Sequence, residues 1–277
     1  MPKMVIAGGR GVVGRHLIAH GQSLGWDVVV LTRRALESSG QTKFVEWQPA
    51  DAARGETEAV GALVSALEGA DLAVNLAGEP LMNGRLSAAH RQRVVQSRVD
   101  SVDAFGHALA ATERCPSVWL QASAVGYYGD RGDELITEES ERGDGILADV
   151  CKAWEEAAEA RAEALSGTRL CIMRIGVVMA PDADAWKRMS LPIKLGVGGP
   201  LGSGEQWYAW ISAKDLARAF FFAAENSSCS GPLNVTAPQP LRQRELAGVT
   251  AAKLGRPTLI PTPAFALRLA LGKHVAN

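Results

Sequence analysis

The sequence predicts an α/β fold, a doubly wound parallel sheet with a small C-terminal α/β lobe. Short apolar runs recur at residues 4–7, 28–31, 44–47, 72–76, 118–122 and 170–174, with helix-length segments between most of them. Strands of that kind, buried on both faces and alternating with helices, build parallel sheets. The first run opens directly into a turn with glycines at 8, 11 and 14, followed by a helical pattern. After Pro181 the texture changes, with a glycine-rich stretch at 198–204 and Pro257, Pro261 and Pro263 near the end. Residues 1–180 therefore read as one domain, with strands returning to it from the C-terminal half, and 181–277 as a smaller lobe.

The first strand and its turn carry the strongest functional signal. Gly8, Gly9, Arg10, Gly11, Val12, Val13 and Gly14 join Met4-Val5-Ile6-Ala7 to a helix whose Leu17, Ile18 and Leu24 form an apolar face. Glycines at that spacing permit a tight turn, close backbone approach to a pyrophosphate and close packing of helix on strand. The free amides and dipole of the helix start face the phosphates. The expected ligand is a dinucleotide, held on a substrate-bearing sheet end.

The second strand ends in Thr32, Arg33 and Arg34. Sites for NAD(H) usually place Asp or Glu there to accept from the ribose 2′-hydroxyl. Two arginines instead suit a 2′-phosphate, which guanidinium groups hold with paired, charge-assisted hydrogen bonds. The cofactor expected is NADP(H), unless the two arginines are only a solvated surface. The fourth strand ends in Asn75, Leu76, Ala77 and Gly78, which either line the adenosine side or pack the strand end. Ser87 is an N-cap candidate for a long helix with Val94, Val95, Val99, Val102, Phe105 and Leu109 on its apolar face.

Composition excludes several classes. The chain has 277 residues, is 47% hydrophobic and carries a net charge of −1, so it has no general attraction for nucleic acid or anionic membranes. Four cysteines without CxxC spacing suggest neither a metal site nor a disulfide framework, and a reducing cytoplasm is the expected setting. No charged-then-apolar leader and no run of about 18 apolar residues occurs. His16 and His20 share a helix face without a third ligand, and read as solvent-facing. Glu155, Glu156, Glu159 and Glu163 read as a charged outer helix face with no chemistry assigned.

Five segments carry a resemblance: Asn75-Leu76-Ala77-Gly78-Glu79-Pro80, Ser97-Arg98-Val99, Ala122-Ser123-Ala124-Val125-Gly126-Tyr127-Tyr128-Gly129-Asp130, Gly198-Gly199-Pro200-Leu201-Gly202-Ser203-Gly204 and Gly231-Pro232-Leu233-Asn234-Val235-Thr236-Ala237-Pro238. Together they resemble the NAD(P)-dependent epimerase/dehydratase branch of the extended short-chain dehydrogenase/reductases, a Rossmann superfamily. The closer resemblance is to the "epimerase family protein" subgroup, sometimes labelled SulA-type. The position of Arg10 resembles the turn of GDP-fucose synthase, which uses NADP(H). The resemblance also implies a further C-terminal segment beyond Leu271-Gly272, whereas this sequence ends at Asn277.

That superfamily moves a hydride between nicotinamide and a carbinol carbon while a Tyr, assisted by a Lys four residues on, passes the proton. No Tyr-x-x-x-Lys occurs among the three tyrosines, Tyr127, Tyr128 and Tyr208. By the resemblance Lys152 takes the lysine position, with a role on the nicotinamide ribose, and Ala148 the tyrosine position. Ser123 matches the superfamily serine once one residue is inserted before Tyr128-Gly129. Tyr127 is the substitute acid chosen over Tyr128, or else a half-buried loop aromatic. Arg174 either faces the cleft or pairs with a carboxylate. Trp207, Tyr208 and Trp210 stack on a flat ligand or pack a core, and loop 198–204 binds substrate, acts as a lid or merely connects. Two functions follow: an NADP(H)-dependent oxidoreductase or epimerase acting on a small hydroxyl- or carbonyl-bearing, sugar-like substrate through Ser123, Tyr127 and Lys152, or a non-catalytic NADP(H) sensor or scaffold. A homodimer through the helix after Ser87 is expected by analogy alone.

Overall fold

A computed structural model describes residues 1–34, 36–38, 40–81, 87–196 and 198–257. Chain order is β1 (Lys3–Ala7), α1 (Val12–Ser23), β2 (Asp27–Thr32), β3 (Thr42–Glu46), α2 (Pro49–Ala53), α3 (Thr57–Leu67), β4 (Leu72–Asn75), α4 (Ala88–Ala111) and β5 (Val118–Ala124). A 3-10 turn over Val125–Tyr128 leads on to α5 (Ile146–Ala162), β6 (Arg169–Ile175), β7 (Val177–Met179), α6 (Asp184–Lys194), β8 (Trp207–Tyr208) and β9 (Trp210–Ser212). Then come α7 (Ala213–Glu225), β10 (Gly231–Val235), β11 (Leu241–Arg242) and α8 (Gln243–Leu254).

Seven strands form one parallel sheet in the order β10-β6-β5-β4-β1-β2-β3. Alternate residues of β1 serve the two faces. Val5 and Ala7 join Leu63, Phe105, Trp119 and Trp154 in one core, while Met4 and Ile6 join Leu17, Phe220 and Phe221 in the other. Covering both faces accounts for the uninterrupted apolar runs of the central strands. Ser87 caps α4 as the sequence predicts, its hydroxyl accepting from the His90 amide.

The chain runs outward from β1 to β3, then crosses back to β4 on the other side of β1. Strand order therefore reverses between β1 and β4, and ligands of such sheets bind at the carboxyl ends beside that reversal. Ala7 is level with Leu31 on one side and Asn75 on the other, which brings Gly8, Thr32 and Leu76 to one edge.

The sixth-to-seventh strand connection is long, and residues 176–230 fill it. That connection holds β7, α6, β8, β9 and α7 before β10 pairs with β6, and β11 and α8 follow β10; β7-β9 and β11-β8 form two small sheets outside the main one. Among the described residues no helix is long and apolar enough to cross a membrane.

Candidate active site

The glycine turn is closed on itself and against β4. A side chain on Gly14 would bring Cβ to 2.5 Å from the Gly9 Cα, and one on Gly8 would meet the Leu76 carbonyl oxygen at 2.7 Å. Gly8 also has φ +75°, a conformation open to glycine at little cost. The Gly11 amide donates to the Gly8 carbonyl at 3.0 Å, completing the turn. Gly11 is the N-cap of α1 and no side chain caps that end, so its first amides point out of the turn unclaimed.

Cationic side chains surround this end of the sheet. Arg10, Arg33 and Arg34 are exposed, and among the described residues none of them makes an ion pair. Thr32 is buried at the end of β2. Unclaimed amides, a turn that admits no Cβ, and free guanidinium groups at the ends of neighbouring strands fit the diphosphate and 2′-phosphate of NADP(H).

Asn75 shapes the wall opposite. Its amide donates to Ser101 Oγ at 3.2 Å and to Gln121 Oε1 at 3.0 Å, while its oxygen accepts from the Ala77 amide at 3.1 Å. Fully committed, it fixes the course of Leu76, Ala77 and Gly78, and only their backbone and apolar surface remain for a ligand. Arg98 lies against Gly78 and donates to the carbonyl oxygens of Glu79 and Val94 at 3.0 and 2.9 Å. Burial pulls the Arg98 guanidinium below its usual range.

The end of β5 holds a polar network inside the protein. Ser123 is only 3% exposed, and its hydroxyl donates to Glu155 Oε1 at 2.5 Å. Glu155 in turn receives Arg174 through Nε at 3.1 Å and Nη2 at 2.8 Å, both side chains being 5% exposed or less. Arg174 Nη1 donates to the Tyr128 hydroxyl at 2.8 Å and to the Glu138 carbonyl at 3.2 Å. The Tyr128 hydroxyl itself donates to Asn234 Oδ1 at 2.7 Å. Burial would pull the Arg174 guanidinium down, but the bonds to Glu155 and Tyr128 outweigh it and hold the group above its usual value. Burial likewise pushes the Tyr128 hydroxyl up.

Tyr127 stands apart from that chain of bonds. The Arg174 guanidinium lies 3.7 Å above its ring centre, and the Tyr128 ring meets it edge-on at 5.3 Å. Among the described residues its hydroxyl makes no hydrogen bond, while both capacities of the Tyr128 hydroxyl are spent. Of the two, Tyr127 is the one with a proton to offer.

Several expectations change here. Glu155 is not on a charged outer face: it is buried, and it is the carboxylate that Arg174 meets. Ser123 turns its hydroxyl inward and donates to Glu155 Oε1. Lys152 is half exposed, its ammonium 3.6 Å from Glu156 on the same outward flank of α5. The residue that α5 sets beside Ser123 is Cys151, whose thiol donates to the Ala124 carbonyl at 3.6 Å and is pushed up mainly by burial.

His16 and His20 are not simply solvated. His16 Nε2 lies 3.3 Å from Asp182, and His20 packs edge-on against Phe221. Arg15 joins the same Asp182 at 2.5 Å, tying the segment after β7 to the first turns of α1. Among the described residues no cluster of His, Cys, Asp and Glu could hold a metal ion, and Cys115, Cys151, Cys171 and Cys229 are free thiols.

The aromatic trio is divided. Trp207 donates from Nε1 to Asp133 at 2.8 Å beneath the Arg242 guanidinium, whereas Trp210 donates to the Gln239 carbonyl at 3.0 Å. Trp210 also lines an apolar cavity of about 260 Å³ with Met179, Trp186, Leu246 and Leu254. Loop 198–204, described except for residue 197 before it, is bound to α8: the Leu201 amide donates to Gln243 Oε1 at 2.8 Å. The expectation beyond Leu271-Gly272 lies outside the described residues.

The model of the NAD dependent epimerase/dehydratase family matches residues 4–235, spanning the seven-stranded sheet with its glycine turn and polar network. This chain belongs to that family. It is 34% identical over 270 residues to an epimerase family protein of Mycobacterium bovis, covering 98% of this chain and 85% of that one. An epimerase family protein of Staphylococcus haemolyticus is 34% identical over 275 residues, covering 99% and 87%. Among solved structures, the human epimerase family protein SDR39U1 (isoform 2) with NADPH superposes with a TM-score of 0.85 at 28% identity, covering 99% of this chain and 87% of that one. A nucleoside-diphosphate sugar epimerase from Corynebacterium glutamicum gives 0.74 at 32% identity, covering 98% of this chain and 55% of the longer protein. The family and the human neighbour support a nicotinamide cofactor on this sheet.

Proposed function

We propose that the chain binds NADP(H) in preference to NAD(H) and either reduces a small carbonyl compound with NADPH or epimerises a hydroxyl-bearing one by passing a hydride to NADP⁺ and taking it back on the other face, with Tyr127 as the proton-carrying group. The observation that carries the cofactor preference is the set of unpaired guanidinium groups at Arg10, Arg33 and Arg34, with no acid at the end of β2. The human relative with NADPH supports the same preference. The Gly8–Gly14 turn and the α1 amides would hold the diphosphate, with Arg33 and Arg34 on the 2′-phosphate.

When bound, NADPH supplies a hydride to the carbonyl carbon. Tyr127 would give its proton to the carbonyl oxygen and recover one from solvent, so that carbonyl, hydride and proton together give an alcohol and the cofactor is left as NADP⁺. Ser123, with its proton fixed on Glu155, holds β5 in place rather than touching substrate.

Calorimetry of the purified protein tests the cofactor half. NADPH is expected to bind roughly ten- to a hundredfold tighter than NADH, the worth of a charged hydrogen-bonded phosphate. Arg33→Ala together with Arg34→Ala is expected to abolish the difference, and equal affinities in the parent would overturn the assignment. For the chemical half, Tyr127→Phe is expected to lose carbonyl-dependent NADPH consumption while keeping cofactor affinity.

The inward commitment of Ser123 and the outward Lys152 favour one second reading, a sensor or scaffold that holds NADP(H) without turnover. Consumption of NADPH that depends on an added carbonyl compound excludes it.

A further inference from the structure

We infer that Arg174 is the positioning residue for Tyr127 and supplies, from β6, the fixed positive charge that Tyr-x-x-x-Lys enzymes take from a helix lysine. This rests on the reading of Tyr127 as proton donor. Three observations lead to it.

The charge is where the reaction would need it. Arg174 Cζ lies 3.7 Å from the Tyr127 ring centre, in face-on contact, whereas Lys152 is ion-paired on the outward flank of α5. As Tyr127 releases its proton to a carbonyl oxygen, negative charge develops on the phenol. A cation already in place, with no reorganisation required, meets that charge.

The cation cannot move away. Glu155 takes the Nε and Nη2 edge, and Nη1 spans the Tyr128 hydroxyl and the Glu138 carbonyl. Nε, Nη1 and Nη2 are each engaged in hydrogen bonds, and the Cζ they surround lies over the Tyr127 ring. Glu155 is itself fixed by the Ser123 hydroxyl at 2.5 Å. The polar interior therefore serves one end: a planar cation held rigidly against one tyrosine.

The division of labour between the tyrosines follows from the same bonds. Arg174 saturates Tyr128 with a hydrogen bond, and Asn234 accepts one from its hydroxyl. It touches Tyr127 only through the ring, so the hydroxyl of that residue stays free for a ligand. A guanidinium has the flat face and the forked edge to do both at once, and an ammonium has neither.

The test labels the protein with fluorotyrosine, which gives three fluorine resonances for the three tyrosines. Tyr127→Phe identifies the relevant one. In Arg174→Met the Tyr127 resonance is expected to move toward its unfolded-chain position while that of Tyr208 stays, with Arg174→Lys in between. On a carbonyl compound consumed by the parent, Arg174→Met is expected to lower kcat roughly 10²-fold. KM is expected to stay within about threefold and NADPH affinity unchanged, and Arg174→Lys to restore part of kcat. If Arg174→Met fails to fold, the Glu155→Met/Arg174→Met pair, which leaves no lone buried charge, carries the same measurements.

An unmoved Tyr127 resonance, or a loss confined to stability with kcat intact, overturns the inference. A moved resonance in a protein whose Tyr127→Phe variant turns over at the parent rate instead overturns the proton-donor reading, and the catalytic use of Arg174 falls with it.

Discussion

Replacing Glu155 by Met puts the interior network to its most direct test. Removing the carboxylate leaves the buried Arg174 guanidinium without its counter-charge, which costs about 3–5 kcal/mol. Ser123 loses its acceptor at the same time, for about 1 kcal/mol more. Together these take a large share of the roughly 5–15 kcal/mol that holds an ordinary domain folded. The pair and its components separate the causes. Arg174→Met strands the carboxylate at similar cost, whereas Glu155→Met/Arg174→Met removes both charges and replaces them with apolar volume. The double variant is therefore expected within about 2 kcal/mol of the parent, far less destabilised than the sum of the singles. Urea unfolding at neutral pH, followed by circular dichroism with the slope checked for constancy, reads all four corners of the cycle. Single substitutions costing under about 1 kcal/mol, or a double variant as unstable as the sum, would refute the account of a dehydrated, mutually dependent pair.

Gly14→Ala must push the Gly9 backbone by most of an ångström, because its Cβ would lie 2.5 Å from Cα. A cost of about 1–3 kcal/mol is expected from the overpacking, together with a loss of NADPH binding, both measured on the same preparation. Asp182 is held at about 2 by Arg15 first and His16 second, so its folded value lies below the unfolded one of about 3.9. Its stabilisation is then complete above the ordinary carboxylate range and fades as pH falls toward about 2. The melting-temperature gap between the parent and Asp182→Asn should be constant above about pH 5 and narrow below about pH 4, and a gap that widens on acidification would contradict that sign. Ser87→Ala removes the cap on the His90 amide and should cost about 1 kcal/mol in the same unfolding assay.

The sheet was legible in the sequence to the extent that its strands are buried on both faces. Val28-Val29-Val30-Leu31 and Met4-Val5-Ile6-Ala7 announce themselves as unbroken apolar runs, and the other four runs each carry a single polar or charged residue among apolar ones. The seventh, Gly-Pro-Leu-Asn-Val at the edge, has a Pro and just one fully buried residue, so it was noticed only as a motif shared with a family. The glycine turn was legible because Gly8 and Gly14 meet backbone at distances that no Cβ tolerates. The polar interior was not. One residue along a helix is a rotation of about 100°, and nothing in a run of four glutamates says which one faces inward. The available signal was the spacing of Ala148, Cys151, Glu155 and Ala158, a buried stripe with a single acid in it. Reading that stripe would have placed Cys151 rather than Lys152 beside Ser123, and would have given Arg174 its partner. The choice between Tyr127 and Tyr128 needed coordinates, since it turns on which hydroxyl is already spoken for.

The strand at the edge beside β6 reaches the sheet only after 55 intervening residues, from 176 to 230 and with α7 among them, have followed β6. A nascent chain emerging from its N-terminus can assemble six strands and fill much of the cofactor end before that strand exists. Until residues 231–235 arrive, β6 has an open edge, and Asn234, which accepts from the Tyr128 hydroxyl, is missing from the network. The nucleotide half can thus form early, while the tyrosine half is completed only once residues 231–235 have been made. A stalled or clipped product would be expected to hold a dinucleotide with its chemistry unfinished, and its unpaired strand would be a ready place for another chain to dock.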